Sequence, residues 1–184
     1  FIGGMDIPLI RRFGCGYAQG VKAVNADATV ILNMTGTTPS AWNDPTKGAE
    51  LAKSQKSQGA DVIFAAAGGT GMGVLQAAAD EGILSIGVDS NQNYMHPGSV
   101  LTSMLKRVDV AVFNAFSAGA DMPTGFIGMD LAAGGVGYAM DDNNAALVSA
   151  DMTARVDAAA DAIKSGSLKV HDYMSDETCP AASF

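Results

Sequence analysis

The sequence predicts an α/β protein, a doubly wound parallel sheet with helices on both faces. Three observations carry that reading. Short β-branched or apolar runs alternate with stretches of helical period. Helix starts carry an Asp followed by Pro. Glycines stand where strands hand over to helices, and strand–helix–strand alternation of this kind builds a parallel sheet.

Phe1–Gly4 is apolar, ends in glycines and reads as the interior of a strand. With no initiator Met, no charged leader and no signal peptide, the chain is expected to be a processed or truncated piece of a longer one. Asp6 is then expected to cap a helix rather than to serve as a ligand group at the first strand's end, with Pro8 in the helix's first turn, where a missing N–H costs nothing. Ile10, Phe13, Tyr17, Val21 and Val24 follow on one helical face, with Arg11, Arg12 and Lys22 off it. Thr29–Asn33 is a β-branched run and predicts the second strand, with a polar loop over Thr35–Asn43. Asp44-Pro45 repeats the cap-and-proline signal and opens a helix that Gly59 ends. Lys47, Lys53 and Lys56 mark its wet face.

Asp61–Ala67 has the composition of a buried strand and runs into Gly68-Gly69-Thr70-Gly71-Met72-Gly73, then a helix ended by Gly82. Leu84–Val88 predicts a strand that stops at Asp89, and Ser90–Ser99 a loop. Val100–Leu105 is a further strand. Val108, Val112 and Phe116 fit helical spacing. Phe126–Met129 and Gly135–Met140 read as short strands. Ser149 caps a last helix with Met152, Val156, Ala159 and Ile163 on one face, and the tail from His171 is polar and irregular.

Composition excludes several classes of function. The chain has 184 residues, a formal net charge of −8, 48% hydrophobic and 16% charged residues. That length allows one domain, or at most one domain plus a fragment, and the chain is too apolar for a disordered segment. Eleven basic against nineteen acidic residues argue against a nucleic-acid partner. No apolar run reaches the ~20 residues of a membrane-spanning helix. Two Cys and two His, widely separated, make neither a zinc site nor a disulfide scaffold. Cys15 and Cys179 read either as a packed and a free thiol or as one disulfide in an oxidising compartment.

On a parallel sheet, ligands sit outside the carboxyl ends of the strands. Those ends carry Gly4–Asp6, Thr35–Asn43, Gly68–Gly71 and Asp89–Asn93. The glycine turn can offer bare backbone N–H groups to an oxygen-rich ligand, or serve only to pack. No Lys-Ser/Thr follows it, so it is not a P-loop, and it departs from GxGxxG. Asp89 can accept hydrogen bonds from paired hydroxyls, or be a turn residue. Lys106 can donate to hydroxyl or carbonyl oxygens, or be a surface lysine. Trp42, the only Trp, can stack on a base or sugar face, or anchor its loop. No GxSxG or HExxH supports catalysis.

The strings FIGGMDIPLIRRF, GADVIFAAAGGTGMGV, IGVDSNQNY, VLTSMLKRVDVAV and GGVGYAMD, in that order and spacing, resemble the basic membrane protein (BMP) family. These are substrate-binding lipoproteins of ABC transporters and include purine-nucleoside-binding proteins. The likeness runs from Phe1 to about Tyr173. It implies the type I periplasmic binding protein fold, two α/β lobes with a cleft between them. This chain would supply the second lobe (1–105) plus hinge-crossing segments, helices and tail (106–184), with the first lobe largely absent. The resemblance implies a nucleoside ligand. Trp42 would stack on the base, Asp89 would hold ribose hydroxyls with Lys106 beside it, and Gly68, Gly69, Thr70 and Gly71 would line the cleft. The tryptophan loop reads Pro39-Ser40-Ala41-Trp42-Asn43-Asp44-Pro45 and departs modestly from the family's GS-aromatic-x-DP.

It further implies an ABC permease as partner, a periplasmic or cell-surface, lipid-anchored location, and no cofactor, metal or catalysis. Val108–Phe116 would pack on the first lobe, and its exposure here would favour self-association. A sugar or other small metabolite as ligand, a nucleotide-dependent α/β enzyme and a regulator's effector domain are the competing readings.

Overall fold

The computed structural model describes residues 1–184. Six strands form one sheet in the order β2-β1-β3-β4-β5-β6. They are β1 (Ile2–Met5), β2 (Asn33–Gly36), β3 (Val62–Ala66), β4 (Leu84–Asp89), β5 (Val100–Lys106) and β6 (Val136–Tyr138). All pairs are parallel except β5–β6. Five helices accompany them: α1 (Pro8–Val24), α2 (Pro45–Ser57), α3 (Thr70–Asp80), α4 (Val108–Ala118) and α5 (Ala150–Lys164).

Side chains alternate across the strands, and so divide the core into two layers. Ile2, Ile63 and Ala65 point to one face and meet Ala52 of α2 and Val74 and Ala77 of α3. Phe1, Phe64, Ala66 and Val88 point to the other and meet Ile10 of α1, with Phe13, Tyr17 and Met34 against them. Over β1, β3 and β4 the sheet is therefore covered on both faces, α1 on one side and α2 with α3 on the other. Two glycines let α2 and α3 approach closely. A Cβ at Gly48 would strike the Thr70 carbonyl, and one at Gly73 the Pro45 backbone. The glycine string thus serves two purposes. Gly68, in the left-handed region at φ +56°, makes the turn, and Gly73 makes the helix contact.

Several expectations are corrected. The second strand is Asn33–Gly36, not Thr29–Asn33. β1 fixes the register, Ile2 opposite Asn33 and Met5 opposite Gly36. Upstream of Asn33 the only ladder-like bond is from the Phe1 amino group to the Ile31 carbonyl (2.8 Å), so β-branched composition alone does not make residues 29–32 a strand. Asp6 does not cap α1. Ile7 holds that position without a side-chain bond, Pro8 follows at N1, and Asp6 instead accepts from Arg11. Asp44 and Ser149 do cap their helices, accepting from the N–H groups of Lys47 and Met152. Phe126–Met129 forms no strand, and Gly135–Met140 contracts to β6.

The tail is ordered on α1. Cys15 and Cys179 form a disulfide with Cα atoms 5.6 Å apart, resolving the alternative left open by the sequence. Around it, Gln19 donates to the His171 carbonyl (3.0 Å), Arg12 pairs with Asp172, and Tyr173, 4% exposed, packs against Phe184.

Candidate functional site

With order 2-1-3-4-5, the first crossover runs from β1 to β2 on one flank and the chain returns to β3 on the other. The strand order reverses between β1 and β3, and at such a switch point the loops splay apart and leave a crevice. Two of the sequence's candidates meet there. The 3-10 turn Pro39–Trp42, which follows β2, lays the indole over the end of β1. A Cβ on Gly4 would run into the Trp42 ring. From the other side, a Cβ on Gly68 would lie 3.5 Å from Cε3 of the same ring and 3.3 Å from the Trp42 carbonyl oxygen. Asn43 lies along the same turn, its Oδ1 3.3 Å from the Cβ position of Gly69. Glycine at 4 is what leaves room for the ring at the switch point, whereas glycine at 68 is required by its left-handed backbone.

Thr70 fixes this arrangement from below. It is fully buried, donates to the Ala41 carbonyl (2.8 Å) and accepts from the Asp44 N–H (2.8 Å). Both roles of its hydroxyl are thus occupied inside the protein, and it ties the tryptophan turn to the start of α3. Gly71 is buried beneath it, while Gly68 is open to solvent and Gly69 partly so.

Asp89 and Lys106 end β4 and β5, and form an ion pair of 2.7 Å with both side chains about half exposed. An exposed pair of this kind contributes about 0.2–1 kcal/mol to stability. Its geometry is nevertheless firmly imposed. Asp89 sits at φ +70°, a conformation most side chains avoid. The loop after it is pinned by a buried network. Gln92 accepts from the Val88 N–H (2.8 Å), its own N–H donates to Ser103 Oγ (2.9 Å), and Ser103 donates to Asn93 Oδ1 (2.8 Å). Asn91 and Asn93 both donate to Asp141, whose carboxyl is held below the ordinary 3.8 chiefly by the bond from Asn91. The pair also touches the core, because the Lys106 ammonium lies 5.1 Å from the centre of the Phe13 ring.

The structure thus brings Trp42, Gly68 and Gly69 together at the switch point, and Asp89 with Lys106 farther along the same carboxyl edge. Residues that the sequence alone did not single out complete the frame. Arg11 grips Asp6 at the end of β1 with two bonds (2.6 and 2.9 Å), lowering the Asp6 carboxyl below its ordinary 3.8, and reaches Tyr173 Oη (3.3 Å). Ser103, a buried hydroxyl in a strand, is a signal the sequence does carry, since a polar side chain there needs a partner. No group of three or more metal-ligating side chains occurs, and no helix is long and apolar enough to cross a membrane.

Comparison with known proteins matches residues 1–171 to the Bmp family, described as ABC transporter substrate-binding protein PnrA-like. The chain is 34% identical to the CD4+ T-cell-stimulating antigen of Listeria monocytogenes serovar 1/2a, over 92% of this chain and 51% of the relative. It is 31% identical to the ABC transporter nucleoside-binding protein BmpA of Lactococcus lactis subsp. cremoris, over 85% of this chain and 49% of that one. Among solved structures it resembles an ABC transporter solute-binding protein from Aeropyrum pernix K1, with a TM-score of 0.77 and 28% identity, covering 91% of this chain and 55% of that one. A transcriptional activator of the comK gene from Bacillus halodurans shares the fold, with a TM-score of 0.70 and 21% identity. The chain spans about half the length of these relatives.

Proposed function

The chain belongs to the Bmp family of ABC transporter substrate-binding proteins, and on that premise we propose that it carries one wall of a nucleoside-binding cleft. The ligand is a purine nucleoside, which a permease then takes up without any chemistry on the ligand. The supporting observation is the spacing of chemistry along one sheet edge. A flat aromatic ring, Trp42, stands at the switch point, and a carboxylate–ammonium pair, Asp89–Lys106, stands two strands away. A base suits the first and a sugar's vicinal hydroxyls the second. Gly68 and Gly69 between them present backbone without side chains. The nucleoside-binding name of the Lactococcus relative points the same way.

On this reading residues 1–105 are the second lobe and 106–184 complete the hinge and the two lobes. The protein works outside the cytoplasm, held by a lipid anchor. Capture then proceeds by closure of two lobes around the ligand, a hinge motion that needs no reacting group.

Calorimetry with inosine, adenosine, ribose and free adenine tests the reading in the intact protein. Asp89→Asn is the sharpest variant, because Asn tolerates positive φ and keeps the side chain's size while the charge and one acceptor oxygen are lost. A hydrogen bond to a charged group is worth about 1.5–3 kcal/mol, so affinity should fall about ten- to hundredfold. Trp42→Ala should weaken nucleosides and leave ribose unaffected. Tight binding of ribose with none of inosine or adenosine would favour the sugar reading, which the Asp89–Lys106 pair suits equally. No heat with any of the four would overturn both.

A further inference from the structure

Phe13 lies on the helical stripe that packs α1 against the sheet, and it does pack there, against the cluster of Phe1, Ile10, Phe64, Ala66 and Val88. Unlike the rest of that cluster it also touches a charge. The Lys106 ammonium stands 5.1 Å from its ring centre while contacting Asp89 at 2.7 Å. Lysine carries a flexible four-carbon stem, and a half-exposed lysine held only by a surface carboxylate samples many rotamers. Here two anchors converge on one nitrogen from different elements, a carboxylate from β4 and an aromatic face from α1. The ammonium pairs with Asp89 and turns one side to the ring, which leaves N–H donors for a ligand oxygen. The other oxygen of Asp89 remains an acceptor beside it.

We propose that Phe13 is a positioning residue of the cleft: its ring face holds the Lys106 ammonium against Asp89, so that donor and acceptor meet a ligand's two adjacent hydroxyls already aligned. This rests on the nucleoside reading for the identity of the ligand, but the positioning itself does not. The benefit is preorganisation, since a lysine already immobilised loses less freedom when ligand binds.

Two measurements test it. In the first, lysines are reductively methylated, which keeps their charge, and the Lys106 signal is assigned by its loss in Lys106→Arg. A ring 5.1 Å away should shift that methyl resonance upfield of the other lysines, Phe13→Leu should return it to their position, and Phe13→Tyr should preserve the shift. In the second, the intact protein is titrated with inosine and with 2′,3′-dideoxyinosine. An exposed cation–π contact corresponds to about two- to fivefold in affinity. Phe13→Leu should weaken inosine by about that factor and leave the dideoxy ligand unchanged, with Phe13→Tyr restoring the loss. A wild-type Lys106 signal indistinguishable from the other lysines would overturn the proposal. So would an equal loss for both ligands, which marks a merely packed ring. If wild-type protein binds neither ligand, the nucleoside reading fails, and the methyl shift alone still decides whether Phe13 holds Lys106.

Discussion

A methyl group added at Gly4 would land on the Trp42 ring. The ring cannot keep its place on the end of β1 with Ala at position 4, and overpacking of this kind costs about 1–3 kcal/mol. Because Trp42 is the only tryptophan, its emission reports its own environment. Gly4→Ala should shift that emission to longer wavelength as the ring swings into water, and should weaken nucleoside binding at least as much as it lowers stability. Unchanged emission would mean that the backbone, and not the indole, had moved. The placement of Trp42 and Asp89 at or beyond strand carboxyl ends is legible in the sequence, because the strand and loop signals around them are local. Thr70 and Phe13 are less so. The sequence reads Thr70 as a cleft-lining group and Phe13 as core stripe, whereas burial of the Thr70 hydroxyl and the approach of Lys106 to Phe13 are set by contacts 26 residues or more away in the chain. Local pattern holds no record of such distances.

At the scale of elements, helix starts marked by Asp44 and Ser149 are readable because a cap is a local bond. β2 is not, because pairing with β1 chooses Asn33–Gly36 over the more β-branched run before it. The tail is the larger surprise. Its polar composition suggests irregular chain, yet it lies on α1 through the Cys15–Cys179 bond, Tyr173 and Phe184. A disulfide spanning 164 residues restrains the unfolded chain by up to about 5 kcal/mol in the chain-entropy account. Through Arg11, which binds Asp6 at the end of β1 and Tyr173 in the tail, it also steadies the rim of the site. Cys179→Ser, or reduction, should lower the melting temperature and release amide exchange protection over residues 171–184 while β3 to β5 stay protected. Protection lost throughout the sheet would instead make the tail part of the cooperative core.

For the whole molecule, the question is what covers the apolar faces that the chain leaves open. β1 to β5 with α1 to α3 and the turns between them bury their stripes, and beyond these the buried apolar side chains are Phe1 before β1, Ala139 after β6 and Tyr173 in the tail. α4 and α5 have no buried residue at all. Val108, Val112 and Phe116 form the stripe expected of a packed helix, yet Phe116 is 83% exposed and Phe113 beside it 70%. Met152, Val156 and Ile163 on α5 are likewise open to water. For Val108–Phe116 the family resemblance implies an uncovered face; for α5 amphipathic spacing declares a face to be buried and does not say whether the chain provides the partner. Water against rings of this size is unfavourable by about 25 cal/mol for each Å², and patches of this kind are normally interaction surfaces. A net charge of −8 opposes association only over the short range that salt allows. The 184-residue chain alone should therefore self-associate, with a sedimentation coefficient that rises with concentration and with added salt. Phe113→Ser combined with Phe116→Ser should return it to monomer with its melting temperature nearly unchanged, because neither ring is packed inside the chain. If the double variant unfolds instead, α4 is held by contacts its exposure does not reveal. A wild-type chain that stays monomeric at high concentration would show that these helices tolerate water unaided.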